Sequence, residues 1–193
     1  MARSRHRAYV DESSVIRESM KEYRVCAVVV ADEVADGIRA KLLPFLLKGQ
    51  RKFHWIAEKK QRRLSFLTTI SGLNLESIII IDRSTPQRHE ERRRRKALEF
   101  LYLTLENLGV ADVVLESRTS TQDHMDIQHI AGLKSAGLFT SFQLTHVRGG
   151  DEPLLWISDT LLGAENAARN GDLIFANALS SVNVEILETT GGR

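Results

Sequence analysis

The chain has 193 residues, which is enough to bury a core, and we expect a single domain over residues 1–193. A formal net charge of only +2 excludes an overall basic field, and a single cysteine, Cys26, excludes a disulfide within the chain. No stretch approaches the roughly 18 apolar residues that cross a bilayer, and the basic N-terminus lacks the apolar segment of a secretory signal. We therefore expect no membrane partner and, by default, a cytoplasmic location.

The first predicted elements are two strands and a helix. Residues 8–12 have a short strand pattern, followed by a polar turn or small insertion. Residues 23–31 are β-branched and nearly all apolar, which suits a central strand. Helical spacing begins at Asp32, which fits an N-cap, and Gly49 fits the end of that helix.

The middle of the chain continues the alternation. Residues 52–55 are a short candidate strand, and a second helical pattern follows and closes at Gly72. Residues 78–81 form a short buried strand pattern. The long helix predicted next spans about 88–108, and Val113–Leu115 is another buried strand pattern.

The last third of the chain supplies a helix at 122–136 and an alternating strand at 142–148. Another helix begins with Asp151-Glu152-Pro153, since proline suits a first turn. A short helical piece and a strand at about 182–187 finish the chain. This alternation of strands and helices favours an α/β architecture.

Several strand patterns run directly into a carboxylate. Asp11 and Glu12 end the first strand, and Asp82 and Glu116 follow two later ones. Adjacent strand residues point to opposite faces, so we favour Asp11 for a pocket, while Glu12 would line its rim or hold the next turn. Strand order decides whether Asp82 or Glu116 neighbours Asp11. Clustered carboxylates repel each other unless protons or a cation intervene, and hard divalent cations prefer oxygen ligands. The pattern therefore predicts a metal-dependent site for phosphoryl transfer.

Three further acids are candidate ligands. Asp159 lies among apolar residues of the last long helix, where an acid is costly unless it is paired or coordinated. The alternative is an amphipathic boundary residue. Asp123 and Asp126 sit three residues apart on a predicted helix and share a face. Acids near a helix N-terminus also favour the macrodipole, which would explain both without a metal.

Histidines and arginines are candidates for contacting substrate. His54, between two aromatic residues, could act as an acid or base or bind phosphate, and the alternative is a hydrogen-bonded structural role; His146 has the same two interpretations. Arg118 could contact a phosphate or pair with a neighbouring acid. The run from Arg92 to Lys96 could neutralise nucleic-acid phosphates, but consecutive cations wrap around a helix, so a solvated face is favoured.

Four motifs together resemble the domain of unknown function 3800 family. They are Tyr-Val-Asp-Glu-Ser at 9–13, Phe-His-Trp at 53–55, Leu-Glu-Ser-Arg at 115–118 and Glu-Pro-Leu-Leu-Trp-Ile-Ser-Asp at 152–159. The family looks like a branch of the RNase H-like superfamily, and the resemblance extends from about residue 8 to residue 187. It implies an RNase H-like mixed β-sheet flanked by helices on both faces. It also implies that acids from the first strand, a neighbouring strand and a late helix bind Mg²⁺ or Mn²⁺.

Carried onto this chain, the resemblance implies a metal site at Asp11 and Asp159, with Glu116 as the third ligand and Asp123 or Asp126 completing the shell. Two metal ions roughly 3.5–4 Å apart would activate a water and stabilise the leaving oxygen of a phosphodiester. The carboxylates would be ligands rather than nucleophiles.

The predicted function is therefore a metal-dependent nuclease that acts on nucleic acid. His54 is the candidate for proton transfer or for orienting the phosphate, and Arg118 and His146 are the candidates for binding substrate. Two alternatives stay open. A non-catalytic nucleic-acid-binding or regulatory module would suit the near-neutral net charge. A small-molecule phosphoesterase would use the same kind of metal site.

Overall fold

The computed structural model describes residues 5–17, 20–83, 90–139 and 141–189. The strands are β1 (His6–Arg17), β2 (Met20–Ala31), β3 (Glu76–Asp82), β4 (Asp112–Glu116), β5 (Gln143–Val147) and β6 (Val184–Glu188). The helices are α1 (Asp32–Leu42), α2 (Lys60–Ser71), α3 (Glu90–Asn107), α4 (Ser120–Ser135), α5 (Leu155–Arg169) and α6 (Leu173–Leu179). Two single-turn 3₁₀ helices lie at Leu43–Phe45 and Trp55–Ala57. The predicted start of α3 lies in residues 84–89, outside the described residues.

The six strands form one mixed sheet in the order β5-β4-β1-β2-β3-β6. Strands β1, β2 and β3 are antiparallel neighbours, whereas β4 runs parallel to β1, β5 parallel to β4 and β6 parallel to β3. Parallel neighbours need a crossover, and α4 supplies the one between β4 and β5. The predicted α/β architecture, a mixed sheet flanked by helices, is confirmed, and the strand order is consistent with an RNase H-like fold.

Helices cover both faces of this sheet. On one face, called the α5 face, Tyr9, Cys26 and Val114 pack in a core with residues of α1, α2, α5 and α6. On the other, called the α3 face, Val10 and Leu115 pack in a second core with residues of α3 and α4. Because side chains alternate along a strand, neighbouring residues of β1 and of β4 belong to different cores. Each strand can therefore deliver polar groups to two separate places.

Three local predictions are wrong. The helix predicted to end at Gly49 ends at Leu42 and is followed only by the 3₁₀ turn Leu43–Phe45, because Pro44 has no backbone N–H to continue the helix. The break predicted after residue 12 does not occur, because β1 continues in register with β2 and pairs Ser13 with Arg24.

Residues 52–55 are not a strand. Phe53 and Trp55 are buried in the core although they lie outside the sheet, and Trp55 begins a 3₁₀ turn. Their burial explains the apolar pattern that indicated a strand. In the described ranges, no helix has both the length and the apolar character needed to span a membrane.

Candidate functional site

Three of the predicted acids meet on the α5 face. Strand β4 lies directly beside β1, and the pairing of Tyr9 with Val114 sets their register. Both of these residues face α5, so Asp11 and Glu116, each two positions further on, point to the same side. The acid that neighbours Asp11 is therefore Glu116 of β4 and not Asp82 of β3.

Helix α5 brings the third acid. Ser158 Oγ donates a hydrogen bond to the backbone oxygen of Tyr9 at 2.7 Å, which fixes this turn of α5 against β1. The next residue, Asp159, is close enough to Asp11 for its charge to act on that carboxyl. The site thus draws one acid from each of three elements that are distant in the sequence.

Asp11 carries the electrostatic consequence of this arrangement. Burial raises its pKa most, and the charges of Glu116 and Asp159 raise it further, to about 8. The backbone N–H of Glu12 donates to Asp11 Oδ1 at 2.7 Å and offsets only part of this effect. Both burial and the neighbouring acids disfavour the ionised form of Asp11, and a nearby cation would favour that form.

Two basic side chains contact the other two acids. Lys52 Nζ donates to Glu116 Oε1 at 2.6 Å. Burial lowers the pKa of Lys52, but the hydrogen bond and charge of Glu116 outweigh it and raise the pKa overall. His54 Nδ1 lies 3.0 Å from Asp159 Oδ2, and this hydrogen bond raises the pKa of His54. The side chain of His54 remains 43% exposed, so a substrate could reach it.

The segment that carries Lys52 and His54 is held by aromatic packing on two helices. The backbone N–H of Trp55 donates to Asp159 Oδ2 at 2.8 Å. The Trp55 ring lies against α5 at Gly163, where an added Cβ would be 2.3 Å from the ring carbon Cγ. Phe53 stacks on Phe66 of α2 with ring centres 4.1 Å apart. Glycine at position 163 is thus what lets this segment approach Asp159.

A glycine turn after β5 closes another side of the site. An added Cβ at Gly149 would be 2.5 Å from Glu116 Oε1, so the turn lies directly against that carboxylate. Trp156 Nε1 donates to the backbone oxygen of Gly149 at 2.6 Å and holds the turn in place. The turn that contains Gly149 and Gly150 therefore shapes the wall beside Glu116.

A second polar group lies on the α3 face. Arg94 of α3 donates to the two carboxylate oxygens of Asp126 at 2.5 and 2.8 Å, and its Nε donates to Glu12 at 2.9 Å. Tyr23 also donates to Glu12, at 2.8 Å. Glu12 therefore points away from Asp11 and belongs to this second group.

The second group includes a set of side chains that could hold a metal ion. Within the described part of the chain, ligand atoms of Asp123, Asp126 and His146 all lie within 4.8 Å of one another. Burial would raise the pKa of Asp126, but hydrogen bonds from His146 and Arg94 lower it well below its usual value. Arg94 already supplies the positive charge that Asp126 needs, so the electrostatic demand for a cation is weaker here than at Asp11.

The placement of this group corrects the predicted site. Asp126, His146 and Arg118 do not join Asp11. His146 pairs with Leu115 in the sheet and shares its α3 face, and its Nε2 lies 3.1 Å from Asp126. Arg118 lies 3.5 Å from Glu12 and 3.7 Å from Asp126. Sequence spacing could not show this, because the side of the sheet depends on register.

Protein-family models, curated proteins and solved structures were all compared with the chain, and none matches it. The resemblance to the domain of unknown function 3800 family therefore stays a prediction. The chemistry open to the site follows from its geometry alone.

The remaining charged candidates have structural partners. Asp82 ends β3, two strands away from β1, and accepts a hydrogen bond from Thr189 at 2.5 Å. Arg93 and Arg94 are almost fully buried, whereas Arg92 is exposed. The cationic segment Arg92–Lys96, predicted to face solvent, is therefore partly buried. Consecutive residues of a helix point in different directions, so some face the sheet and others face solvent.

Proposed function

We propose that this chain is a metal-dependent nuclease that hydrolyses phosphodiester bonds, with Asp11, Glu116 and Asp159 as ligands of Mg²⁺ or Mn²⁺. The observation that carries this proposal is the convergence of three carboxylates from β1, β4 and α5, where burial and the charges of Glu116 and Asp159 raise the pKa of Asp11 to about 8. A cluster of carboxylate oxygens is the donor set that hard divalent cations prefer. A cytoplasmic location stays a prediction.

The chemistry of these acids fits such an ion, because they offer oxygen donors only. Their ligand atoms are not gathered within 4.8 Å of one another, as those of Asp123, Asp126 and His146 are, so an ion would have to draw the carboxylates together. Lys52 is the single lysine hydrogen-bonded to them in the described chain. A bound ion would supply Lewis-acid activation of a water and would stabilise the leaving oxygen. Once Glu116 binds an ion, the Lys52 ammonium is free to contact a non-bridging phosphate oxygen.

His54 is suited to proton transfer. Its Nδ1 is held by Asp159, which orients the ring and leaves Nε2 for a proton exchanged with water or a phosphate oxygen. Because the hydrogen bond raises the pKa of His54, the protonated form is favoured relative to an isolated histidine. The residue is therefore better suited to donating a proton to a leaving group than to removing one from water.

The proposal is tested by titrating Mn²⁺ calorimetrically into the wild type and into Asp11→Asn and Asp159→Asn. Asp36→Asn is a matched control, since the Asp36 side chain is 96% exposed on α1. The same four proteins are then incubated with RNA, DNA and a hybrid. We expect the two site variants to lose Mn²⁺ binding and metal-dependent cleavage and the control to keep both.

Unchanged Mn²⁺ affinity in both site variants would contradict the proposed ligands. Binding of nucleic acid by the wild type without any metal-dependent cleavage would instead favour the non-catalytic module.

A further inference from the structure

Two exposed arginines are carried by backbone segments that lie beside Glu116. Arg51 directly precedes Lys52, whose ammonium is hydrogen-bonded to Glu116. Arg148 directly precedes Gly149, whose backbone lies against the same carboxylate. The two arginines come from segments almost a hundred positions apart, yet both border one side of the proposed metal site.

Backbone contacts fix the two segments relative to each other. An added Cβ at Gly150 would lie 3.4 Å from the backbone oxygen of Arg51 and 3.5 Å from the Cβ of Arg51, so the two segments lie directly against each other. The turn is closed by a hydrogen bond of 2.8 Å from the N–H of Asp151 to the oxygen of Arg148. The backbone of Arg51 and of Arg148 is therefore held in place beside Glu116, and both side chains are exposed to solvent.

Neither guanidinium has a protein partner among the described residues. Most other arginines in that part of the chain are paired, as Arg24, Arg39 and Arg94 are with nearby carboxylates. Arg51 and Arg148 are exposed and form no ion pair or side-chain hydrogen bond with a described residue. Two unpaired guanidinium groups beside a cluster of acids are available to an anion that approaches the cluster.

We infer that Arg51 and Arg148 bind phosphates of a nucleic-acid strand next to the phosphodiester held at the acids, on the side of Glu116, an inference that rests on the proposed function. A strand approaching three carboxylates is repelled by them, and flanking cations offset that repulsion locally without an overall basic field. Arginine suits the task because its planar fork binds phosphate oxygens bidentately.

This assignment names the substrate class. A small phosphoester with a single phosphate offers nothing for a second guanidinium group to hold, whereas a strand presents a phosphate at every nucleotide. The pair therefore favours a polynucleotide over a small-molecule phosphoester. RNA and DNA share the phosphate chemistry involved, and only direct comparison distinguishes them.

The test measures binding of fluorescein-labelled single-stranded RNA and DNA of one sequence by anisotropy over a range of KCl concentrations. Ca²⁺ is present as a hard cation for the carboxylates, and gels check that the strand stays intact. The variants are Arg51→Gln, Arg148→Gln and the double variant. Arg92→Gln is the matched control, since Arg92 is an exposed arginine of α3, which packs on the opposite face of the sheet.

We expect each single variant to weaken binding several-fold and to reduce the slope of log K against log salt by about 0.7, with the two effects adding in the double variant. The Arg92 variant should match the wild type, and Asp151→Asn, which removes a negative charge from the same turn, should not weaken binding. Wild-type affinity and salt slope in the double variant, or an equal loss in Arg92→Gln, would overturn the inference, as would a wild type that binds neither strand.

Cleavage in Mn²⁺ separates this inference from the proposed function. If the strand binds through Arg51 and Arg148 but the wild type does not cleave it, the nuclease proposal is wrong and the inferred phosphate contacts stand. If the wild type cleaves the strand in a reaction that requires Asp11, but binding is unchanged in both arginine variants, the nuclease proposal stands and the inferred contacts are wrong.

Discussion

Asp11 sets how the metal-free protein responds to pH. Its pKa rises from an ordinary 3.8 to about 8, so between these values the folded protein holds a proton that the unfolded chain releases. The contribution of Asp11 to stability is therefore greatest at the acidic end of this window and is lost as the pH rises through it. Acids with lowered pKa values, such as Asp112 and Asp126, act in the opposite direction near their ordinary pKa of 3.8. We therefore expect the effect of Asp11 to appear as a difference, in which the Tm of the metal-free wild type falls relative to that of Asp11→Asn as the pH rises towards about 8.

Thermal melts in EDTA at a series of pH values measure this difference. The Asp36→Asn variant should follow the wild type, because Asp36 lies on the exposed face of α1. Parallel curves for the wild type and Asp11→Asn would show that Asp11 does not hold the proton.

Lys52 competes with a metal ion for Glu116. Its Nζ donates to Glu116 Oε1 at 2.6 Å, and this charged hydrogen bond opposes the binding of a cation by the same carboxylate. Because such bonds contribute about 1.5–3 kcal/mol, we expect Lys52→Met to bind Mn²⁺ roughly tenfold more tightly. The same variant should cleave nucleic acid more slowly, since it lacks the ammonium that would contact the phosphate. Calorimetry and a cleavage assay measure the two effects separately.

Lys60→Met is a matched control for that variant. Lys60 forms an ion pair with Asp172 at the same distance of 2.6 Å, away from the three acids. It should leave Mn²⁺ affinity unchanged. Weaker Mn²⁺ binding in Lys52→Met would mean that Lys52 supports the site rather than competing for it.

At the scale of elements, contact between α5 and the segment at 52–57 determines whether the basic residues reach the acids. The Trp55 ring occupies the space that a side chain at position 163 would need, with an added Cβ 2.3 Å from the ring. We expect Gly163→Ala to destabilise the protein by about 1–3 kcal/mol, because Trp55 must move and its packing is lost. Urea unfolding measures this change.

Gly132→Ala provides the comparison, because an added Cβ at this position of α4 meets nothing within 4 Å. Replacing an exposed helical glycine by alanine stabilises a helix by up to about 1 kcal/mol, so the two substitutions should have opposite signs. A stabilising Gly163→Ala would show that the Trp55 ring does not rest on α5 as described. The hydrogen bond between His54 and Asp159 should weaken only in Gly163→Ala.

At the scale of the whole molecule, the sheet divides the polar residues into two groups with different electrostatics. Asp11 and Glu12 are adjacent, yet one joins the acids on the α5 face and the other joins Arg94 on the α3 face. Burial and the neighbouring acids raise the pKa of Asp11 in the first group, whereas basic partners outweigh burial and lower that of Asp126 in the second. Arg94 and Arg118 of the second group tie α3 and α4 to the sheet. This difference is why we propose the metal-dependent chemistry at Asp11, although Asp123, Asp126 and His146 also lie close enough together to hold an ion.

The sequence by itself determined the α/β architecture and the opposite directions of Asp11 and Glu12. Both follow from local periodicity, because strands and helices impose different spacings on apolar residues and side chains alternate along a strand. It also singled out Asp159, since an acid within an apolar helical pattern stands out without knowledge of its neighbours.

Only the tertiary structure decided which residues meet. Strand order brought Glu116 rather than Asp82 beside Asp11, and register sent His146 to the other face. Packing also places Lys52 against Glu116. Nothing in the sequence indicated this contact beyond the position of Lys52 two residues before His54. Pairing between distant strands and helices depends on which surfaces the whole chain can bury together, and no local pattern encodes that choice.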